Sequence, residues 1–316
     1  MGSDKSFQWR GRIDDEAAAG SYRWHQKVGY GYRQPGIGML GLACDLGVIA
    51  NQGRPGAAAG PNSIRAALAN AAWHLNTSVQ DFGNITAADT LADTQQRYAA
   101  MLGQALQQHV FTLGLGGGHE IAWGSYLGLA ENLGPAGRKI GIVNFDAHFD
   151  LRKPAPETSS GTPFYQIAEH ANQHNGFYYA CLGLAETSNT QALFERAQQL
   201  KVNYLSDVAC DFAAVKTLLI PFLETIDELY VSICLDVFPA SVAPGVSAPA
   251  ALGITPRLVI ETLHWLGQSQ AGLNYCWRLL DIAEMNPRYD IDNQTARLAA
   301  RLVCEACNAA LKHDTM

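Results

Sequence analysis

Residues 140–152 read IGIVNFDAHFDLR: an apolar, β-rich run that stops abruptly at Asp146 and gives way to two carboxylates, a histidine and an arginine. A run apolar throughout, rather than strictly alternating, is the pattern of a strand covered on both faces. Five further runs of this kind occupy residues 36–43, 110–115, 178–184, 229–235 and 277–282. Between them, residues 62–72, 93–108, 190–200, 213–225, 257–269 and 294–310 carry helical periodicity. Strands alternating with helices predict an α/β fold built on a mostly parallel sheet, with helices over both faces. Residues 53–60 (GRPGAAAG) read as a loop that leads into a helix opened by Pro61 or Asn62. No long linker, internal repeat or low-complexity block divides the chain. One domain over residues 1–316 is expected, with residues 1–35 as an N-terminal extension packed on it.

Composition narrows the function classes. Of the 316 residues, 48% are hydrophobic and 16% charged, enough apolar material for a sizeable core. The formal net charge of −7 argues against a nucleic-acid partner, which calls for a basic face. No apolar stretch approaches the roughly 20 residues that cross a bilayer, so no membrane partner is expected. The opening MGSDKSFQWRGRIDDE has no apolar centre, unlike a signal peptide. Seven scattered cysteines, an odd number, fit a reducing cytoplasm better than a disulfide framework. Cys304 and Cys307 lie on an expected helix, RLAARLVCEACNAALK, where buried packing is favoured over a zinc site.

The chemistry sits where the apolar runs stop. In a parallel α/β sheet that is the carboxyl edge of the strands, where ligands bind. Four ends carry polar groups: 116–120 (GGGHE), 146–152 (DAHFDLR), 234–236 (CLD) and 281–287 (DIAEMNP). Asp146, His148 and Asp150 are spaced two apart, so an extended segment would point all three the same way. An oxygen-rich set with imidazole suits manganese, with iron, cobalt or zinc as alternatives; a solvated loop with an incidental D-x-H-x-D is the bland reading. His119 follows three glycines, which lack both the P-loop lysine and the full dinucleotide spacing. A lone histidine gains weight only from its company. Asp236 reads as a buried ligand or as a helix-capping or salt-bridged carboxylate. Glu284 reads as a surface carboxylate or as an acceptor for a planar amidine cation.

Taken in order, these pieces resemble the ureohydrolase family of arginases, agmatinases and formimidoylglutamases. GGGH, DAHFD and S-x-x-x-D appear in family order. RPGAAAGPNSIRAAL, PGVSAP followed by GITPR, and the final AARLVCEA resemble further family elements, so the likeness spans nearly the whole chain. The resemblance implies an arginase-like three-layer α/β/α fold with a twisted sheet, and two Mn2+ ions per subunit. Carried over residue by residue, His119 and Asp150 would hold one ion, His148 and Asp236 the other, and Asp146 would bridge. Glu284 matches the position that receives the substrate's cationic nitrogens. Family members are often trimers or hexamers, so a homo-oligomer is compatible with the resemblance.

Within the family, FDAHFDLR, SSGTPF (159–164), GRPGAAAGP and VFPASVAPGVSAPA are most similar to the formimidoylglutamase branch. Arg152 stands where arginases carry asparagine. A guanidinium there would favour a small-molecule substrate with an extra carboxylate; a local pair with Glu157 is the alternative. The resemblance thus implies metal-dependent hydrolysis of N-formimidoyl-L-glutamate to L-glutamate and formamide, a step of histidine breakdown. Glu284 would hold the amidinium, and Asp150 would pass the proton to the leaving nitrogen. One position departs from the pattern: Cys234 replaces an expected metal-bridging aspartate. As a thiolate it would keep the charge and favour a softer metal; as a thiol it would leave the cluster one anion short. The competing readings are a hydrolase of another guanidino or amidine substrate, and a metal-poor, non-catalytic family member.

Overall fold

The computed structural model describes residues 3–14, 19–30, 35–134 and 137–311. Residues 1, 2, 15–18 and 31–34 of the expected extension, and Lys312 at the end of the last expected helix, lie outside them. Nine strands form one sheet: β1 (Val28–Gly29), β2 (Ile37–Ala43), β3 (Val79–Thr86), β4 (Phe111–Gly116), β5 (Ile140–Phe145), β6 (Tyr178–Leu184), β7 (Asn203–Ser206), β8 (Glu228–Cys234) and β9 (Cys276–Ala283). The helices are α1 (Leu46–Ala50), α2 (Gly60–Ala69), α3 (Leu91–Gln108), α4 (Ile121–Leu133), α5 (Pro163–Ala171), α6 (Gln191–Gln199), α7 (Phe212–Leu223), α8 (Pro256–Leu273) and α9 (Gln294–Leu311). All strand pairs are parallel, in the order β1-β3-β2-β4-β9-β8-β5-β6-β7.

The period of two along each strand divides its side chains between two cores. On β5, Val143 and Phe145 join α2, α7, α8 and α9 on one face, while Ile140 and Ile142 join α3, α4, α5 and α6 on the other. Both faces of the sheet are therefore apolar, which is why these strands read as continuous hydrophobic runs. Local chemistry fixes the helix starts. Thr90, Asp211 and Thr255 each accept a hydrogen bond from the third residue onward, at 3.1, 2.8 and 3.2 Å. Pro163 and Pro256 occupy first-turn positions, where no backbone donor is lost.

The six expected strands and six expected helices are present, with ends shifted by a few residues at most. The segments not foreseen have physical reasons. α4 is apolar almost all round, so it shows no stripe. β3 (VQDFGNIT) carries buried Gln80, Asp81 and Asn84 and so does not read as an apolar run. α1, α5, β1 and β7 are short. β3 tolerates its polar residues because Arg65 of α2, itself fully buried, forks onto Asp81 with two contacts of 2.9 Å and donates to Asn84 Oδ1 at 2.5 Å. Trp9 Nε1 adds a third hydrogen bond to Asp81 at 2.8 Å, and Asp4 bridges to Asn84 in backbone pairing. The N-terminal segment thereby docks on this edge.

Breaking that buried pair strands a carboxylate. Arg65→Ala is expected to lower the unfolding free energy by about 3–5 kcal/mol in urea titration. A loss below about 1 kcal/mol would show the pair to be no stronger than a surface contact.

Candidate metal and active site

Four strands adjacent in space, β4-β9-β8-β5, end level with one another: Leu115 pairs Ile282, Ile233 pairs both Ile282 and Phe145, and Cys234 pairs Ala283. Chain positions 119, 146–150, 234–236 and 284 thus converge at one place on the carboxyl edge. His119 arrives through Gly117 and Gly118, whose N–H groups donate to Leu42 and Cys44 carbonyls at 3.0 and 3.2 Å. A Cβ on Gly117 would lie 1.9 Å from the Cys44 carbonyl oxygen, so only glycine fits.

The structure corrects one geometric expectation. Residues 146–150 are not extended. The His148 N–H donates to Asp146 Oδ1 at 2.7 Å, turning the chain, and Asp150 takes a left-handed backbone with φ of 47°. Asn189 fastens this turn, donating to the Ala147 carbonyl at 2.9 Å and accepting from the Phe149 N–H at 3.1 Å. Asp236 sits in a 3-10 turn, Leu235–Val237, rather than on an extension of β8. Glu284 also has positive φ, 66°. A carboxylate-bearing residue tolerates that region only when its surroundings hold it there.

The expected ligands come together. His119 Nδ1 lies 2.9 Å from Asp146 Oδ2 and 2.9 Å from Asp150 Oδ2. His148 Nδ1 lies 3.5 Å from Asp146 Oδ1 and 3.3 Å from Asp236 Oδ2. Donor atoms of His119, Asp146 and Cys234 fall within 4.8 Å of one another, as do those of Asp146, His148 and Asp236. Asp146 is common to both groups. Glu284 Oε1 accepts the His119 N–H at 3.0 Å, which places its carboxylate beside the cluster.

A buried chain of hydroxyls decides which histidine nitrogen faces the cluster. Asp281 accepts from Ser125 Oγ, Tyr230 OH and Ser232 Oγ, each at 2.6 Å. With its single proton committed to Asp281, Ser232 Oγ can only accept from His119 Nε2–H, 3.0 Å away. Nδ1 is thereby turned, buried, toward the carboxylates of Asp146 and Asp150; Asp236 Oδ1 is buried with no hydrogen-bond partner among the described residues. An imidazole nitrogen and carboxylate oxygens aimed at common space, backed by a hydroxyl–carboxylate relay, fit divalent cations.

The electrostatics of the cluster are strained. Burial alone would depress His119, but close contacts with Asp146 and Asp150 raise its pKa well above the ordinary value. The same balance, with Asp236 and Asp146 as partners, raises His148. Burial and Asp146 push Asp150 and Asp236 up, whereas the two imidazoles pull Asp146 down. Burial, then Asp236 and Glu120, raises Glu284 to about 8. Cys234 rises well above the ordinary thiol value through burial and the surrounding carboxylates. Without cations, Cys234 is a thiol; a dication would reverse that logic.

Above the cluster lies a cavity of about 280 Å3, into which Asp150, Asp236 and Glu284 open, with Arg54 and Arg152 on its wall. Arg152 makes no side-chain hydrogen bond or ion pair among the described residues, and the alternative pair with Glu157 is not formed. Sequence reasoning passed over Asp281 as part of a strand end and Arg54 as part of a glycine-rich loop. Ser125 and Tyr230 gave no signal, lying inside apolar segments.

Comparison with known proteins bears on what this site does. Residues 35–308 match the arginase family. The formimidoylglutamase of Aeromonas salmonicida (strain A449) is 48% identical, over 93% of this chain and 95% of its own length. That of Hahella chejuensis (strain KCTC 2396) is 45% identical, over 97% and 96%. Among solved structures, formimidoylglutamase from Bacillus subtilis superposes with a TM-score of 0.81 at 20% identity, covering 95% of both chains. Trypanosoma cruzi formiminoglutamase with Mn2+ gives 0.76 at 21% identity, over 87% and 93%. At such identities the structural likeness speaks to the fold.

The raised histidine pKa values set a sign. At neutral pH the metal-free cluster holds imidazolium protons, and a cation must displace them, so affinity falls as pH falls. Manganese binding at pH 7 is expected to be accompanied by proton release. Calorimetry in buffers of different ionisation enthalpy measures this, and binding without proton release would show that His119 and His148 are already neutral in the metal-free protein.

Proposed function

The chain belongs to the arginase family, and from that premise we propose that it hydrolyses N-formimidoyl-L-glutamate to L-glutamate and formamide in the cytoplasm. Curated relatives at 44–48% identity over nearly the full length carry the name formimidoylglutamase. The single feature of the site that carries the substrate assignment is Arg152, which lines the cavity with Asp150, Asp236 and Glu284 and makes no ion pair among the described residues. A ligand with both a cationic and an anionic group is what such a cavity would accept. An odd number of scattered cysteines supports a reducing compartment, and no helix among the described residues is long and apolar enough to cross a membrane.

In this reading His119, Asp146, Asp150 and Cys234 would hold one divalent cation, and Asp146, His148 and Asp236 a second. Two bound manganese ions would supply Lewis acidity and a nucleophilic water. The protein does the rest. Glu284 receives the amidinium N–H groups; its raised pKa falls when positive charge enters, so it binds substrate as a carboxylate. Arg152 holds a substrate carboxylate and so fixes the formimidoyl carbon over the cluster. Water oxygen adds to that carbon as its proton passes to Asp150, and the bond from the carbon to the glutamate nitrogen breaks in the step that follows. Asp150, partly open to the cavity, hands a proton to the departing nitrogen. Asp281, through Ser232, keeps the His119 ring turned.

Glutamate release from N-formimidoyl-L-glutamate should follow manganese, zinc or iron added to chelated protein; activity on agmatine instead would overturn the substrate assignment. Sulfur at position 234 sets metal preference, so Cys234→Asp is expected to tighten manganese binding roughly tenfold or more relative to zinc. Competition with a chromophoric chelator measures this directly. An unchanged manganese-to-zinc ratio would place Cys234 outside the coordination sphere.

A further inference from the structure

Arg54 lies in the loop between α1 and α2 and shares the cavity wall with Arg152. Its backbone is pinned on both sides: its N–H donates to Ser247 Oγ at 2.8 Å, and its carbonyl accepts from Asn286 Nδ2 at 2.9 Å. Its guanidinium is equally fixed. Nε donates to the Ser247 carbonyl at 2.7 Å, Nη2 donates to the Val246 carbonyl, and the plane lies 3.9 Å from the Tyr289 ring centroid. Carbonyls and an aromatic face hold a guanidinium without neutralising it, and no carboxylate pairs with Arg54 among the described residues. Among the described residues Nη1 has no hydrogen-bond partner. An arginine has five N–H donors in a planar fork, and a free edge on a rigid one is suited to a carboxylate.

The cavity therefore carries two uncompensated guanidiniums, one from the loop after α1 and one from the turn after β5. We propose that Arg54 binds the second carboxylate of the substrate, so that Arg54 and Arg152 together select a dicarboxylate amidine over substrates with one carboxylate. This rests on the reading of the site as an N-formimidoyl-L-glutamate hydrolase and deepens it. In that ligand the amidinium and one carboxylate share the α-carbon and the second carboxylate ends the side chain, so Glu284 and two guanidiniums lining one cavity match its three charged groups. Ordering by Ser247, Asn286 and Tyr289 means that little side-chain entropy is lost when the ligand arrives.

The test is steady-state kinetics of metal-loaded wild type, Arg54→Gln and Arg54→Lys on N-formimidoyl-L-glutamate and on its two monoamides, the α-amide and the γ-amide. Arg54→Gln is expected to raise KM for the dicarboxylate by roughly 10- to 100-fold with kcat little changed. On the monoamide lacking the carboxylate that Arg54 holds, wild type and variant should have the same KM. Arg54→Lys should recover part of the loss, since it keeps charge but not the fork, and it decides the matter if the glutamine variant does not fold. Equal losses on all three compounds, in kcat as well as KM, would make Arg54 a loop fastener only and overturn the proposal. Wild type inactive on the dicarboxylate would instead overturn the functional reading on which it rests.

Discussion

The organising constraint is mutual repulsion among buried carboxylates. Asp146, Asp150, Asp236 and Glu284 crowd into one low-dielectric pocket with two imidazoles and a thiol, and burial raises every one of these acids except Asp146, which the imidazoles hold down. Such a cluster is poor packing material. It persists because the surrounding strands and turns fix its members, and divalent cations are the partners that its donor set would satisfy. The features nearest to it, namely the glycine approach to His119, the left-handed residues Asp150 and Glu284, and the Asn189 clamp, all serve to aim donor atoms at common space.

Behind the donors stands a second layer with its own logic. Asp281 collects three hydroxyls, and through Ser232 it sets which nitrogen of His119 carries a proton. The relay explains why a strand as apolar as β8 interrupts itself with Tyr230 and Ser232, and why an aspartate is buried in the middle of β9's hydrophobic run. The orientation of the His119 ring is here a property of the sheet interior rather than of the loop that bears it. Cys234 ends the same strand. Its thiol is surrounded by acids, so its charge state follows that of the pocket as a whole: neutral among bare carboxylates, a thiolate candidate beside a cation.

The cavity wall is built from a different part of the chain. Asn286 and Ser247, in the loops after β9 and β8, hold Arg54, while the turn after β5 supplies Arg152. No carboxylate pairs with either arginine among the described residues, although the protein carries a net charge of −7. Guanidiniums and carboxylates lining one cavity suit a ligand that carries both an amidinium and carboxylates.

Sequence alone determined the layer class, because doubly covered strands must be apolar throughout and the helices between them must show a stripe. It also pointed to the residues that gather at the carboxyl edge, His119, Asp146, His148, Asp150, Asp236 and Glu284, through their places at the ends of such runs and the family resemblance. What it could not determine was how those residues meet. His119 and Glu284 are far apart in sequence and become neighbours only because β9 inserts beside β4, and β8 beside β5. The turn that redirects Asp150, the tautomer of His119 and the free edge of Arg54 each depend on hydrogen bonds between segments distant along the chain. Residue identity is written locally, but donor direction is set by whichever strands lie alongside, and only the tertiary structure decides that.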